Sequence, residues 1–130
     1  MLMTTAFIGG MKVGEGSESP VDSGEPMGVW TAQNGQVAIV AGARTPFAKL
    51  GTALRGVDVV DLARIAIQET LYRASWIGDR LDEVILGNVV MPADATNPAR
   101  VAALSAGIPA SVPALTVQRN CASGMEAIGQ

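Results

Sequence analysis

The sequence predicts an α/β fold built from parallel β-α-β-α-β-α layers. Three apolar, β-prone runs alternate with three segments of helical character, and all six lie within residues 37–130. Such an alternation is typical of a parallel sheet whose strands are joined by helical crossovers. The preceding 36 residues have a different composition, so the chain divides into a leader and one domain.

Residues 1–36 are predicted to be a disordered leader. Between Gly9 and Gln36 the chain is rich in Gly, Ser, Pro and Glu, and apolar residues recur with a period of neither 2 nor 3.6. A segment of this composition cannot bury enough apolar surface to offset the entropy lost on ordering. Residues 37–130 are therefore predicted to form the domain.

The first strand and helix are predicted at Val37–Ala41 and Asp58–Ser75. The strand is a short apolar run closed by Gly42, as in a buried parallel strand. In the helix, apolar residues recur near i, i+3, i+4 and i+7, which gives one buried face. Asp58 is placed to cap this helix, and Asp61 adds negative charge to its first turn.

The second strand and helix are predicted by sequence signals as clear as those of the first pair. Glu83–Val89 has an apolar centre and predicts a strand. Asn97 is a suitable N-cap, and Pro98 suits the first helical position because its φ angle is already helical. Gly107 is a suitable C′ residue, so the helix is predicted to end just before it.

The third strand, Val112–Val117, is followed by Cys121 and by a segment of helical character, Ala122–Gln130. Cys121 is thus predicted to lie on a strand-to-helix turn, and functional residues of parallel sheets lie beyond the carboxyl ends of strands. The chain has one cysteine and no histidine. A potential nucleophile is therefore present without its usual base.

Two interpretations of Cys121 follow from this position. The first N–H groups of a helix lack intrahelical partners and carry a positive partial charge, which favours a thiolate over a thiol and can receive an oxyanion. On this interpretation Cys121 is a catalytic nucleophile. The alternative is a small buried side chain packed in a turn, as most free cysteines are.

Composition argues against several other functions. The formal net charge is −3 and no basic stripe is present, so nucleic-acid binding is not expected. No apolar run is long enough to span a membrane. Without histidine or clustered carboxylates, no metal site is predicted. A single thiol and a leader without a basic n-region favour a cytoplasmic protein.

Four separated segments together resemble the N-terminal part of the thiolase family. They are Val37–Phe47, Asp82–Val89, Asn97–Arg100 and the cysteine block Gln118–Met125. The related ketoacyl synthases also place a cysteine on a strand-to-helix turn, but their first strand normally lacks the continuation seen at Arg44–Phe47. The resemblance covers residues 37–130.

The resemblance implies acyl transfer between thioesters. Cys121 would attack an acyl carbonyl and hold the acyl group, in thiolytic cleavage of a 3-ketoacyl-CoA or in the reverse Claisen condensation. Its backbone N–H would donate to the oxyanion. Acyl-CoA and CoA would be substrates, no further cofactor is implied, and the parent protein would be a homodimer or homotetramer. Ser123 and Gly124 would let the turn close and the helix pack tightly, and Arg44 is expected to be a structural donor to loop carbonyls rather than a substrate ligand.

The chain also departs from the family pattern. Thiolases are much longer, and their activating histidine, second cysteine and positioning asparagine lie in a C-terminal half. We therefore expect an incomplete N-terminal half of the fold, inactive alone, in which the implied sheet order 3-2-1-4-5 leaves the first strand without one neighbour. The alternatives are a non-catalytic thiolase-like half-domain and a piece of a ketoacyl synthase.

Overall fold

A computed structural model describes residues 5–7, 39–75 and 81–130. In chain order, the elements within these ranges are β1 (Thr5–Phe7), β2 (Gly42–Arg44), α1 (Val59–Arg73), β3 (Val84–Gly87), α2 (Pro98–Ser105), β4 (Ala114–Val117) and α3 (Ser123–Gly129). The α/β class predicted from the sequence is confirmed.

Strands β3 and β4 form the parallel pair that the sequence predicts. Their register places Val84 beside Ala114 and Gly87 beside Val117. The pairing continues past the strand end, because the Asn88 N–H donates to the Val117 carbonyl at 3.0 Å. Helix α2 is the crossover between the two strands, as expected for a βαβ unit. The carboxyl ends of both strands therefore lie side by side.

The first predicted strand differs from the prediction. Ile39–Ala41 are not in a strand, and β2 begins at Gly42, the residue expected to close it. Strand β2 pairs antiparallel with β1 rather than within a wholly parallel sheet. A strand edge left open exposes unpaired N–H and C=O groups, and pairing with Thr5–Phe7 satisfies those on one side of β2. Residues 5–7 thus pair with β2, while the rest of the predicted leader and Val37–Ala38 lie outside the described residues.

Helix α1 begins as predicted. The Asp58 carboxylate accepts a hydrogen bond from the Val60 N–H at 2.6 Å, which satisfies one of the free donors of the first turn. The helix ends at Arg73, followed by Ala74 at the C-cap. Ser75 then adopts a left-handed backbone with φ +52°, a conformation in which glycine is the usual residue.

Helix α2 has both predicted ends. Asn97 is its N-cap and accepts from the Arg100 N–H at 3.3 Å, with Pro98 at the first helical position. At the other end Gly107 has φ +91°. Its N–H donates to the Leu104 carbonyl at 3.1 Å, and the Ile108 N–H donates to the Ala103 carbonyl at 3.0 Å. These two bonds are the Schellman pattern, in which glycine takes the strained position.

The core is aliphatic, in keeping with an aromatic content of only 4%. Small side chains on α1 and α2 let the two helices pack closely, and Leu86 of β3 lies beneath them. The buried cluster consists of Ala63, Ala66, Ile67, Leu81, Leu86, Ala99, Ala102, Ala103, Ile108 and Val112. In the described ranges, no helix is long and apolar enough to cross a membrane.

Polar side chains at the start of α2 hold β4 and the segment before it in place. The Asn97 amide nitrogen donates to the Ala114 carbonyl at 3.1 Å, and the Thr116 hydroxyl donates to the Asn97 amide oxygen at 2.7 Å. The Arg100 guanidinium donates to the carbonyls of Val112 and Ala110 at 2.7 and 2.8 Å. The Asn-Pro-Ala-Arg motif thus fixes the strand that precedes Cys121.

Candidate active site

Cys121 lies on the strand-to-helix turn predicted from the sequence. Strand β4 ends at Val117 and α3 begins at Ser123, so the cysteine stands just before the helix. Its side chain is free and exposed. Cys121 is therefore not packed into the core of this chain, unlike the buried cysteine of the alternative interpretation.

The turn that carries Cys121 is closed by its own hydrogen bonds. The N–H groups of Ala122 and Ser123 donate to the carbonyls of Arg119 and Asn120 at 3.0 and 3.1 Å. The buried Ser123 hydroxyl accepts from the Arg119 N–H at 2.8 Å and donates to the Asn120 carbonyl at 2.7 Å. Both neighbours of Cys121 are thereby fixed. The interpretation of Ser123 as a residue that closes the turn agrees with this geometry.

Asn120 gives the turn its sharp change of direction. Its φ angle is +47°, in the left-handed region that asparagine tolerates better than most residues with a side chain. Strained backbone of this kind persists only where surrounding contacts hold it. Here the contacts are the bonds to Ser123 described above, and the result is an exposed Cys121 between two restrained residues.

An ion pair spans the turn and the helix that follows. The Arg119 guanidinium contacts the Glu126 carboxylate at 2.5 Å, and the Gln130 amide donates to the same carboxylate at 3.2 Å. The hydrogen bond from Arg119 and, secondarily, that from Gln130 lower the pKa of Glu126 below its ordinary value of 4.5. The pair is exposed, so it contributes no more to the stability of the fold than an ordinary surface ion pair does.

Sequence reasoning missed Gly87, the last residue of β3. A β-carbon built on Gly87 would lie 2.3 Å from the Ser123 carbonyl oxygen, 2.4 Å from its carbon and 2.7 Å from the Gly124 nitrogen. The start of α3 therefore packs directly on the bare backbone of β3. An isolated glycine in a strand is the one sequence signal of such an approach.

Gly124 does not have the packing role expected of it. Among the residues that the structure describes, no atom lies within 4 Å of a β-carbon built on Gly124. The close approach between β3 and α3 requires glycine on the strand side, at Gly87. The prediction that Gly124 lets the helix pack tightly is therefore wrong.

Arg44 is the last residue of β2, at the start of the loop that follows, and its contacts are local. Its guanidinium donates to the Thr45 carbonyl at 2.9 Å and lies 5.9 Å from the centre of the Phe47 ring. A cavity of about 300 Å³ lies between this loop and α1, with mainly apolar walls. Cys121 does not line it. Arg44 thus donates to a loop carbonyl, as expected from the sequence.

The matching family model decides where the chain belongs. The model for the thiolase N-terminal domain matches residues 37–130. This chain belongs to the thiolase family. In this thiolase chain, the exposed Cys121 lies in a segment that the family model covers.

Curated relatives and solved structures agree with this assignment. The 3-ketoacyl-CoA thiolase of Aeromonas salmonicida is 38% identical over 80% of this chain and 24% of its own length. The acetyl-CoA acetyltransferase of Bacillus anthracis has a TM-score of 0.59 and 46% identity, over 61% of this chain and 20% of its own. A thiolase from Ascaris suum, solved in complex with coenzyme A, has a TM-score of 0.65 and 31% identity over 68% and 23%.

This thiolase chain spans about a quarter of the length of the curated relatives that it matches. It corresponds to the part of the family that the N-terminal domain model describes. Among the residues of known placement, no three side chains of His, Cys, Asp or Glu gather as metal ligands.

Proposed function

We propose that this chain supplies the nucleophile of an acyl-CoA acyltransferase, a thiolase that cleaves 3-ketoacyl-CoA or runs the reverse Claisen condensation. The observation that carries the proposal is the exposed Cys121 on a restrained turn at the carboxyl end of β4. The names of the relatives support the reaction class, since they are 3-ketoacyl-CoA thiolases and an acetyl-CoA acetyltransferase.

The proposed first step is attack by the Cys121 thiolate on the 3-keto carbonyl carbon of a 3-ketoacyl-CoA. The carbonyl π pair moves to oxygen, and its return breaks the bond between carbons 2 and 3. The acyl group stays on sulfur as a thioester, and the enolate of acetyl-CoA takes a proton and leaves. CoA thiolate then accepts the acyl group from Cys121. The thioester on Cys121 is close in energy to the thioester substrate, and it divides one difficult transfer into two easier steps.

The proposed oxyanion donor from this chain is the backbone N–H of Cys121. The N–H groups of Ala122 and Ser123 already donate to Arg119 and Asn120, so they are committed within the turn. A preorganised donor is effective because it is in place before charge develops on the carbonyl oxygen. The hydrogen bonds that fix Asn120 and Ala122 also fix the peptide group between Asn120 and Cys121.

This chain does not hold the base that the reaction needs. Its 130 residues include no histidine. We therefore expect no measurable thiolysis of acetoacetyl-CoA by these residues alone, because nothing in them can deprotonate CoA efficiently near neutral pH. The remaining parts of the proposal are acyl-CoA and CoA as substrates without a further cofactor, a cytoplasmic location and a homodimeric or homotetrameric parent.

A segment exchange tests the proposal. Residues 37–130 replace the matching segment of the Aeromonas salmonicida 3-ketoacyl-CoA thiolase, and thiolysis of acetoacetyl-CoA is measured. The exchanged protein should be active and should lose activity on Cys121→Ser. A thioester on Cys121, detected by peptide mass after incubation with substrate, should accompany the activity.

The controls separate the alternatives. Gly56→Ala in the exchanged segment should retain activity, since a β-carbon there meets no atom of residues 5–7, 39–75 or 81–130 within 4 Å. A folded exchanged protein without thiolysis or thioester would indicate the non-catalytic half-domain. Acylation of Cys121 without thiolysis, together with condensation of acyl units, would instead indicate a ketoacyl synthase.

A further inference from the structure

We propose that Gly87 is a positioning residue for Cys121. Gly87 lies on β3, and Cys121 lies on the turn after β4. The absence of a side chain at Gly87 lets the first turn of α3 lie against the strand, and this contact sets the position of the turn that carries the cysteine. The consequence for catalysis rests on the proposed function. The claim that Gly87 sets the position of Cys121 does not.

The contact leaves no room for a methyl group. The three atoms nearest to an added β-carbon are backbone atoms of Ser123 and Gly124, at 2.3 to 2.7 Å. Rotation of a side chain cannot relieve a clash with backbone. An ordinary contact needs at least 3.4 Å, so strand and helix would have to separate by about 1 Å.

The strand is the more firmly held of the two partners. Gly87 pairs with Val117 in the register of β3 and β4, and the Asn88 N–H donates to the Val117 carbonyl. Leu86 and Asn88, on either side of Gly87, are each only 3% exposed. The Asn88 side chain also donates to the Val90 carbonyl at 2.9 Å. Relief of the clash would therefore displace α3.

Displacement of α3 would carry Cys121 with it. The Ser123 carbonyl is the atom group nearest to Gly87, and the Ser123 hydroxyl and N–H bond to Arg119 and Asn120. The turn and the first residue of the helix thus form one bonded unit. A shift of about 1 Å is enough to disturb a reacting group, since a misplacement of that size can reduce a rate by about 10²-fold.

The test compares Gly87→Ala with Gly56→Ala in the 130-residue chain. Backbone amide signals of residues 119–124 should shift in Gly87→Ala and stay in place in Gly56→Ala. Under conditions where each variant is folded by circular dichroism, the rate of alkylation of Cys121 by iodoacetamide should differ from that of the parent chain by roughly tenfold only in Gly87→Ala. Equal signals and equal rates in both variants would overturn the proposal.

A measurement on the unchanged chain covers the case in which Gly87→Ala does not fold. The parent chain should show a nuclear Overhauser effect between the Gly87 α-protons and the Gly124 amide proton. Its absence in a folded sample would also overturn the proposal. Neither measurement uses an acyl-CoA, so the two proposals are tested independently. If the exchanged protein were inactive, the result for Gly87 would still stand. If the Gly87 measurements were negative, the segment exchange would still test the proposed function.

Discussion

Replacing Asn97 with alanine should destabilise the domain by about 2 kcal/mol. The side chain accepts from the Arg100 N–H and the Thr116 hydroxyl and donates to the Ala114 carbonyl. Loss of an N-cap costs about 1 kcal/mol, and each of the two links to β4 is worth about 1 kcal/mol. The full sum of about 3 kcal/mol is reduced because Asn97 is exposed, so water replaces part of what is lost.

Urea unfolding followed by circular dichroism measures this change, and Asn97→Asp is the matched control. Aspartate keeps both acceptor functions but cannot donate to the Ala114 carbonyl. It should therefore cost about half as much as alanine, roughly 1 kcal/mol. If alanine cost less than about 0.5 kcal/mol, or if aspartate and alanine were equal, the three bonds would not hold α2 to β4 as inferred.

Two further predictions concern the helix ends and the exposed ion pair. Ser75→Gly should stabilise the fold by about 0.5 to 1 kcal/mol, because Ser75 has φ +52°. Gly107→Ala should destabilise it by about 1 kcal/mol. The two substitutions should therefore shift the unfolding midpoint in opposite directions, and shifts of the same sign would contradict this reasoning. The Glu126 pKa is lowered in the fold, so its stabilising effect is complete above the ordinary value of 4.5 and is lost as pH falls through the lowered folded value. Glu126→Gln should remove that part of the acid dependence of the melting temperature, and an unchanged acid limb would count against the pair.

The helices were predictable because their signals are local. Asp58, Asn97, Pro98 and Gly107 occupy the end positions that their backbone chemistry favours, and the structure confirms each of them. The turn position of Cys121 was predictable for the same reason. It follows directly from an apolar run, a polar break and a segment with helical character.

The contacts between distant segments were not predictable. The pairing of β2 with Thr5–Phe7 joins residues 35 to 39 positions apart, and Thr5–Phe7 fall in the segment that is predicted to be a disordered leader. The same holds for Gly87 and Ser123, where a backbone-to-backbone contact leaves only a glycine as its trace. Gly124 was the nearer glycine to Cys121, and proximity in sequence favoured the wrong residue.

The parallel register of β3 and β4 has a consequence for the order of folding. It joins Val84 to Ala114 across the whole of α2, so a loop of about 30 residues must close before the strands can pair. Closing this loop has an entropic cost that local contacts do not offset. Helix α3 has only seven residues, too few to persist in water without a surface to pack on. The geometry around Cys121 should therefore be among the last to form during refolding, after the strand pair exists.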